Sequence, residues 1–495
     1  MKVAMAQEMR EIDRLAMEEY AYPGLLLMEH AALALFKAIK ARFPLGKVGI
    51  ICGKGNNAGD GWALARLLAL AGAEVMIFAP TEVQNLPPDA ATNREVARRL
   101  GIKEAPWSAL LADPSVCSSF TVLVDALLGT GFKGEVAAEM AAVIAALNNT
   151  DRPVVAVDLP SGVEADSGRV PGPAVRATLT VTFGLPKVGL LVYPGREYAG
   201  EIIVDQIGLP PPLLTDRATA YYTLDQSELA ALLPQRRSQA HKGTQGHLLV
   251  VGGAAGMTGA PVLAGLAGLR SGAGLVTLGV RDGLNLPEKP MELMVKPWSR
   301  LQWEDYDAIV VGPGLSTEPD GQEILATVLS LAQPGRVLDA DALNLLAPIP
   351  QWWAKVKGSL ILTPHPGEMA RLCGLSTGAV QANRLGLVKE KAEQWGVTLV
   401  LKGAATLVGS GEEPIYINRT GNPALATGGT GDVLAGMIGG LLAQGLAPAQ
   451  AAVVGVYLHG QAGDLAAKEI GPAGILAGDL LPRIPRVMGM GAGQC

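Results

Sequence analysis

Short apolar runs alternate with longer stretches rich in alanine and leucine along almost the whole chain. The first half contains runs such as KVGIIC, EVMIFA and TVLVDALL, separated by stretches such as WALARLLALAGA. The same alternation begins again with HLLVVG at residue 247 and continues through LVTLGV, DAIVVG and SLILTP. Apolar runs of this length are typical of strands buried in a parallel sheet, and the stretches between them predict helices. The pattern therefore predicts an α/β fold in both halves.

A proline-rich stretch separates the two halves. Residues 207–222, IGLPPPLLTDRATAYY, contain three consecutive prolines followed by charged and polar residues, which is typical of a linker. The two halves share no sequence repeat, so we expect two different domains rather than a duplication. We place them at residues 1–215 and 225–495.

Composition and charge exclude several classes of protein. The chain is 49% hydrophobic and 17% charged, a balance that suits compact domains and not disorder. The formal net charge of −6 provides no basic surface, so we expect no nucleic-acid partner. Acidic residues interrupt the first 20 residues, so we do not expect them to form a signal peptide. No apolar run reaches the roughly 18 residues of a membrane span. We therefore expect a cytoplasmic protein with no membrane partner, and the small Ala/Gly-rich helix faces suggest a homo-oligomer.

The cysteines give no sign of a disulfide framework or a transition-metal site. They are widely separated and form no CxxC pair: Cys52, Cys117, Cys373 and Cys495. This spacing is typical of reduced thiols in a cytosolic protein.

Polar residues follow several predicted strands of the first half. GKGNNAGDG, residues 53–61, lies between KVGIIC and a helix predicted to begin near Trp62, where amides and a helix dipole receive anions. Its spacing fits neither the dinucleotide fingerprint nor a Walker loop. Later predicted strands are followed by similar polar residues. These are Asp125 with the glycine-rich residues 129–135, and Asp158 with Ser161. A single strand-end aspartate often only caps the next helix, but this clustering predicts a binding site at the carboxyl edge of the sheet.

GNNAGDG, VDALLGTGFKGE and VDLPSG together resemble the NAD(P)H-hydrate epimerase domain, over roughly residues 1–210. The resemblance implies a Rossmann-like three-layer domain that interconverts the R and S epimers of NADHX and NADPHX, the hydrated forms of NADH and NADPH. It also implies a potassium ion held by Asn57, Asp125 and Ser161, and hard oxygen donors suit such a cation. The implied catalytic residue is Asp158. The implied substrate contacts are Asn56, Asn57, Ala58, Gly59, Asp60, Gly129, Thr130, Gly131, Phe132, Lys133, Gly134, Glu135 and Asp158.

Two positions depart from the epimerase pattern. Ala58 stands where the family usually has glycine, and its methyl group is able to narrow the approach of the loop to substrate. His30-Ala31-Ala32 stands where Asn-Ala-Gly is common. Both departures bear on the efficiency of epimerisation and not on the fold.

The second half carries six motifs in order: SQAHKGTQGHLLVVGG, GPGLS, VLDADALN, LTPHPGEMARL, LVLKGAATLV and GNPALATGGTGDVLAG. Singly they are weak signals, since GPG is a common turn and His365 between two prolines has a structural explanation. Together they resemble the ADP-dependent NAD(P)H-hydrate dehydratases of the ribokinase-like superfamily, over roughly residues 225–485. Leu425 replaces the usual methionine, a mild apolar change.

This second resemblance implies a ribokinase-like α/β domain with Asp432 as its catalytic base. Asp432 would remove the proton of the ring hydroxyl, which attacks the terminal phosphate of the co-substrate ADP. The glycines before Asp432 supply free amides at a helix start, where phosphate charge is stabilised. The implied contacts to the hydrated nicotinamide are Ala260, Gly314, His365 and Asp432. The implied nucleotide contacts are Lys402, Gly403, Ala404, Ala405, Thr406 and Gly431. Mg²⁺ is expected on the phosphates, without an evident ligand set.

The two resemblances describe consecutive steps on one substrate. An epimerase interconverts R- and S-NAD(P)HX, and a dehydratase returns the S epimer to NAD(P)H, giving AMP and phosphate. One alternative is a ribokinase-like kinase of a small molecule with an accessory N-terminal domain. The other is a non-catalytic binding or scaffold module in the first half, against which Asn57, Asp125, Asp158 and Ser161 all argue.

Overall fold

The computed structural model describes residues 1–82, 85–235, 238–284, 286 and 289–491. The chain divides into two compact units, Lys2–Tyr221 and Tyr222–Cys495, with Met1 assigned to the second. We call them the N-terminal unit and the C-terminal unit. The division falls inside the proline-rich stretch at 207–222. The predicted thiol of Cys495 lies outside the described residues.

The N-terminal unit contains a parallel sheet whose order, among its described residues, is β4-β3-β2-β5-β6-β7-β8. The unit contains β1 (Lys2–Val3), which lies outside this sheet, and the sheet strands β2 (Lys47–Cys52), β3 (Glu74–Ala79), β4 (Lys103–Pro106), β5 (Val122–Ala126), β6 (Val154–Val157), β7 (Leu179–Phe183) and β8 (Glu201–Asp205). Its helices are α1 (Ala6–Glu19), α2 (Gly24–Arg42), α3 (Asn56–Leu70), α4 (Pro88–Arg99), α5 (Trp107–Ala112), α6 (Ala138–Asn148), α7 (Val188–Leu191) and α8 (Pro211–Thr215).

Apolar side chains cover both faces of this sheet. Successive residues of β2 point to opposite faces: Ile50 joins a core with α1 to α4, and Ile51 joins a second core with α5 and α6. A sheet buried on both faces explains why strands such as β2 and β6 are almost continuous apolar runs. The predicted three-layer α/β arrangement is confirmed.

The C-terminal unit contains a mixed sheet. Its described strands from β10 onward lie in the order β18-β17-β16-β15-β14-β13-β10-β11-β12. They follow β9 (Tyr221–Tyr222) and are β10 (His247–Val251), β11 (Leu275–Val280), β12 (Met294–Pro297), β13 (Ala308–Val311), β14 (Gly335–Leu338), β15 (Leu360–Leu362), β16 (Thr398–Leu401), β17 (Leu407–Ser410) and β18 (Ile415–Ile417). Pairing is parallel from β12 to β16 and antiparallel for the last two strands.

The helices of the C-terminal unit are α9 (Gln226–Leu232), α10 (Gly259–Arg270), α11 (Pro319–Ser330), α12 (Asp341–Leu346), α13 (Pro366–Cys373), α14 (Thr377–Ala382), α15 (Arg384–Trp395), α16 (Thr430–Ala443), α17 (Pro448–Ile470), α18 (Ala477–Leu480) and α19 (Ile484–Gly491). In the part of the chain that the structure describes, none of the helices combines the length and apolarity that a membrane crossing requires.

Helix α16 is the central element of the C-terminal unit. Almost all of its residues from Val433 to Ala443 are buried, between α10 and α17 and against the sheet. Glycines allow its backbone to touch that of α10, since a β-carbon on Gly436 would lie 2.0 Å from the carbonyl oxygen of Ala264. This close approach fixes the position of α16, whose first turn contains the end of ATGGTGD at Asp432.

We predict that Gly436→Ala lowers the free energy of unfolding of the C-terminal unit by about 1–3 kcal/mol, because the added methyl group overlaps backbone that cannot move aside. Urea unfolding followed by tryptophan fluorescence measures the loss. The matched control is Gly489→Ala on α19, an exposed helical position with no atoms within 4 Å, where alanine is favoured over glycine. Equal stability of the two variants would contradict the packing described for α16.

Candidate active sites

The polar motifs of the N-terminal unit lie where the strand order changes direction. β2 has β3 on one side and β5 on the other, and such switch points are where parallel sheets bind ligands. Helix α3 begins at Asn56 and not near Trp62 as predicted. Burial of Ala58 and Trp62 stabilises the first turns despite their glycines, since packing overrides propensity. Asn56 to Asp60 therefore form the beginning of a helix and not a loop.

The three residues predicted to hold potassium lie together, almost fully buried. Ser161 Oγ donates to Asp125 Oδ1 at 2.6 Å, and the Ser161 amide donates to Asp125 Oδ2 at 2.8 Å. Asn57 Nδ2 donates to the carbonyl oxygen of Leu128 at 3.0 Å. The amide of Leu128 in turn donates to Ser161 Oγ at 2.9 Å. Burial raises the pKa of Asp125 to about 6, against the hydrogen bonds from Ser161 and Leu127. Within the described ranges, no cationic side chain pairs with this carboxylate.

Asp158 follows β6 in a left-handed conformation, with φ +65°. Its Oδ1 accepts hydrogen bonds from Thr182 Oγ1 at 2.9 Å and from the Phe183 amide at 3.2 Å, and it pairs with Lys187 Nζ at 2.5 Å. Its Oδ2 has no hydrogen-bond partner among the residues that the structure describes. A strained aspartate with one oxygen fixed and the other free is a suitable acid–base group.

Two further carboxylates belong to the electrostatic environment of Asp158. Burial raises the pKa of Asp60 well above its usual range, and the charges of Asp158 and Asp13 raise it further. Burial also raises the pKa of Asp13 to about 6, while Lys187 opposes this rise. Sequence reasoning selected Asp158 and Asp60 but missed Asp13 and Lys187. The available signal for Lys187 was its place after the strand LTVTF, in GLPKVG.

The glycine-rich segment 129–135 leaves β5 as a loop. A β-carbon on Gly129 would lie 3.4 Å from Asn57, so the segment starts beside the predicted potassium ligands. The Gly134 amide donates to Glu164 Oε1 at 3.3 Å, and Lys133 Nζ lies 3.5 Å from Asp166 Oδ2. The side chains of Lys133 and Glu135 are exposed. The remaining predicted contacts of this loop are Thr130, Gly131 and Phe132.

The two departures from the epimerase pattern have structural explanations. The methyl group of Ala58 is fully buried in the larger core, so it points away from the surface of the site. His30 Nδ1 lies 2.8 Å from the carbonyl oxygen of Ile207 and 3.2 Å from the Tyr22 hydroxyl. His30 therefore fastens α2 to the segment after β8.

The second site lies at the carboxyl ends of the parallel strands of the C-terminal unit. Gly314 follows β13, and its carbonyl accepts the Ala254 amide at 2.7 Å, which joins the loops after β13 and β10. Ala260 is in the first turn of α10. A β-carbon on Gly429 would lie 2.9 Å from Leu263 of α10, so the first turns of α10 and α16 are neighbours. These contacts place the N-terminal part of α10, which includes Ala260, beside the start of α16, and they place Gly314 beside the loop that leads into α10.

Asp432 lies in the first turn of α16. Gly429 caps this helix with φ +90°, a conformation that glycine adopts without strain. The Asp432 carboxylate has no hydrogen-bond partner among the described residues, so it is available to a ligand. Burial and repulsion from Asp339 raise its pKa to about 6, while the charge of Lys402 opposes the rise.

Lys402, predicted to bind the nucleotide, lies between carboxylates. Its Nζ is 2.6 Å from Asp339 Oδ1 and 3.9 Å from Glu368 Oε2. Burial disfavours the charge of Lys402, but Asp339 and Glu368 outweigh this and raise its pKa. A β-carbon on Gly431 would lie 3.3 Å from Lys402 Nζ. The ammonium group is therefore next to the backbone of the α16 N-terminus.

His365 caps α13, and its Nδ1 accepts hydrogen bonds from the amides of Gly367 and Glu368 at 3.0 and 3.3 Å. Burial and the charge of Lys402 lower the pKa of His365, so it is neutral near pH 7. Burial raises the pKa of Glu368 to about 7, against the opposing charge of Lys402. His365 can therefore cap α13 and still belong to the predicted site beside Lys402.

The loop 402–406, which includes Gly403, Ala404, Ala405 and Thr406, is held by a guanidinium group. Arg384 donates to the carbonyl oxygens of Leu401, Lys402 and Ala405 at 3.2 to 3.3 Å. Burial lowers the pKa of Arg384 to about 10. Arg384, Asp339 and Glu368 are site residues that sequence reasoning missed. Asp339 and Glu368 lie inside recognised motifs, VLDADALN and TPHPGE, while Arg384 has no sequence signal.

His459 of α17 contacts the backbone of the first turn of α16. Its Nε2 lies 2.9 Å from the carbonyl oxygen of Thr430, and burial lowers its pKa to about 4. The ring is therefore neutral and donates to that carbonyl. Leu425, the mild departure from the dehydratase pattern, packs against α17, since a β-carbon on Gly463 would lie 2.7 Å from its side chain.

Known families match both units of the chain. The family model described as YjeF-related protein N-terminus matches residues 24–189, and the model described as NAD(P)H-hydrate dehydratase matches residues 248–486. The solved structure of a ribokinase-like superfamily protein from Enterococcus faecalis is 29% identical. It covers 56% of this chain and 99% of its own, with a TM-score of 0.51. The ribokinase-like fold predicted for the second half is confirmed.

Two relatives match the chain along nearly its full length, and both are described as bifunctional NAD(P)H-hydrate repair enzyme Nnr. The Moorella thermoacetica protein is 42% identical, over 99% of this chain and 97% of its own length. The Escherichia coli protein is 36% identical, over 98% and 93%. The chain belongs to the family of bifunctional NAD(P)H-hydrate repair enzymes.

Proposed function

We propose that this protein repairs hydrated nicotinamide cofactors in two steps. The N-terminal unit epimerises R- and S-NAD(P)HX, and the C-terminal unit dehydrates the S epimer to NAD(P)H at the expense of ADP. The observation that carries the proposal is the free carboxylate of Asp432 at the start of α16, beside the buried Lys402, in a chain that its family matches in both units. Two activities on one substrate make both epimers recoverable.

The dehydration proceeds in two chemical steps. Asp432 takes the proton of the ring hydroxyl, and that oxygen attacks the terminal phosphorus of ADP, so that AMP departs. The lone pair of the ring nitrogen then expels the phosphate from the ring carbon, and loss of a proton from the adjacent carbon gives NAD(P)H. The amides of the α16 first turn, including that of Gly431, and the loop 402–406 would hold the phosphates. Ala260, Gly314 and His365 would contact the nicotinamide ring.

A potassium ion fits the cluster around Asp125. The donors are a buried carboxylate that lacks a cationic partner within the described ranges, the hydroxyl of Ser161 and the amide oxygen of Asn57, which are the hard oxygen ligands of such a cation. A bound ion would balance the charge of Asp125 and order the Asn57 end of α3. Asn56 to Asp60, loop 129–135 and Asp158 would then surround the substrate.

Magnesium fits the second site only as a companion of the nucleotide. No group of three His, Cys, Asp or Glu residues in the described ranges is arranged to hold a metal. Asp339 and Glu368 flank Lys402, and a β-carbon on Gly431 would lie 3.9 Å from Asp339 Oδ2. Mg²⁺ commonly takes one or two carboxylates and completes its shell with phosphate and water, and it would neutralise phosphate charge here.

Self-association remains a prediction from sequence. The Ala/Gly-rich faces of α10 and α16 pack against each other within the C-terminal unit. They are therefore not free to bind a second copy, and a homo-oligomer would use other surfaces.

We predict that Asp432→Asn lowers the ADP-dependent formation of NADH from S-NADHX by about 10²–10⁴-fold, because the amide cannot accept the hydroxyl proton. Epimerisation by the same variant stays within twofold of wild type. In the wild type, kcat for dehydration is full well above pH 6 and falls below it, since Asp432 must be deprotonated and its pKa is about 6. The control, Asp305→Asn, removes an exposed carboxylate paired with Lys296. An Asp432→Asn variant that keeps most of its dehydratase activity would eliminate Asp432 as the base.

We predict that potassium activates epimerisation and that Ser161→Ala weakens this activation, raising the K⁺ concentration at half-maximal rate by about tenfold or more. The change removes an oxygen donor that also orients Asp125. Rates and melting temperatures are compared in potassium and tetramethylammonium chloride, with the exposed Ser119→Ala as control. Identical wild-type rates and melting temperatures in the two salts would exclude the site.

A further inference from the structure

Lys187 lies between β7 and α7, and only 2% of its side chain is exposed. Its ammonium group contacts Asp158 Oδ1 at 2.5 Å, Thr182 Oγ1 at 3.1 Å and the carbonyl oxygen of Phe183 at 2.7 Å. A lysine ammonium has three donors, and each has an acceptor here. The lysine is therefore fixed in place and leaves no proton free to bind substrate directly.

These contacts determine which oxygen of Asp158 can act. Lys187, Thr182 and the Phe183 amide all meet Oδ1, and Oδ2 has no partner among the described residues. Turning the carboxylate away from this orientation would break these three contacts. The arrangement therefore presents Oδ2 to the site, and the side chain of Asp158 is 13% exposed.

The charge of Lys187 is balanced against three carboxylates from three elements. Asp158 follows β6, Asp13 belongs to α1 and Asp60 belongs to α3, and each of these carboxyl groups interacts electrostatically with Lys187. α1 is held close to the Lys187 segment, because a β-carbon on Gly184 would lie 2.5 Å from Met9, one helical turn before Asp13. A single ammonium thus serves a strongly acidic cluster.

We propose, on the basis of the epimerase activity proposed above, that Lys187 is a positioning residue for epimerisation, which fixes Asp158 with Oδ2 toward the substrate and balances its charge. Oδ2 takes the proton of the ring hydroxyl while the bond between that carbon and the ring nitrogen breaks. The electron pair of this bond goes to the nitrogen, and the carbon becomes a carbonyl. Reversal of the same steps on the other face of the carbonyl re-forms the C–N bond, returns the proton to oxygen and gives the other epimer.

The test compares Lys187→Met, which keeps the length of the side chain without its charge, with Lys187→Arg, which keeps the charge. We expect Lys187→Met to lower kcat for epimerisation by about 10²-fold with KM within threefold of wild type. We expect Lys187→Arg to keep a kcat at least tenfold above that of Lys187→Met. Arg66→Met removes another ion pair of the same unit, with Glu29, and keeps full epimerisation.

The second activity of the chain provides an internal control, since dehydration of S-NADHX reports the amount of folded C-terminal unit in the same sample. Melting of the N-terminal unit and circular dichroism show whether a variant is folded. An unchanged kcat in Lys187→Met would overturn the inference, as would equal losses in both variants together with equal losses of thermal stability. A wild-type chain that does not epimerise would overturn the proposed function itself, which is a different outcome.

Discussion

A charge buried at the edge of a sheet needs a partner of opposite sign, and both sites are built on this constraint. Removing one member of such a pair leaves the other charge unpaired in a medium of low dielectric constant. Lys187 pairs with Asp158 in the N-terminal unit, and Lys402 pairs with Asp339 in the C-terminal unit. Asp125 is equally buried but has no cationic side chain beside it in the described ranges. This unbalanced charge is the physical ground for proposing a potassium ion there.

Each site also contains a carboxyl oxygen that has no hydrogen-bond partner in the described structure, and this oxygen is the one available for chemistry. Asp158 has one oxygen saturated by three donors and the other unbonded in the described structure. Asp432 has no hydrogen-bond partner among the described residues, and burial raises its pKa to about 6. A carboxylate with this pKa is mostly ionised at neutral pH and still accepts a proton more readily than an ordinary one. The two groups have different backbone settings, since Asp158 follows the parallel strand β6 and Asp432 lies in the first turn of α16.

Much of this organisation was predictable from sequence because apolar strands and strand-end motifs are local signals. KVGIIC, TVLVDA and VVAVDL identify buried strands, and the polar residues after them converge since parallel strands end at one edge. The start of α3 was predicted about six residues too late, because glycines and asparagines at 55–61 suggested a loop. Burial of Ala58 and Trp62 reverses that preference, and such burial is a property of tertiary packing that a local pattern does not contain.

The residues that contact the proposed catalytic groups were harder to predict from the sequence. Lys187 and Asp13 come from segments far from Asp158 in the chain, and only the packing of α1 and the turn after β7 brings them near. Arg384 lies on a helix whose sequence resembles any exposed helix, yet it holds three carbonyl oxygens of the 401–405 segment. Contacts between residues that are distant in the chain depend on the topology of the fold. Motifs are recognised from residues that are adjacent in the chain.

The most direct test of the account starts from pure R-NADHX and follows NADH absorbance after addition of the full-length protein, ADP, Mg²⁺ and K⁺. Dehydration alone consumes only the S epimer, so NADH can form only if the two units act in sequence. We expect complete conversion to NADH, with one AMP and one phosphate for each NADH. Conversion of S-NADHX but not R-NADHX would contradict the epimerase assignment, and accumulation of a stable phosphorylated product would contradict the dehydratase mechanism.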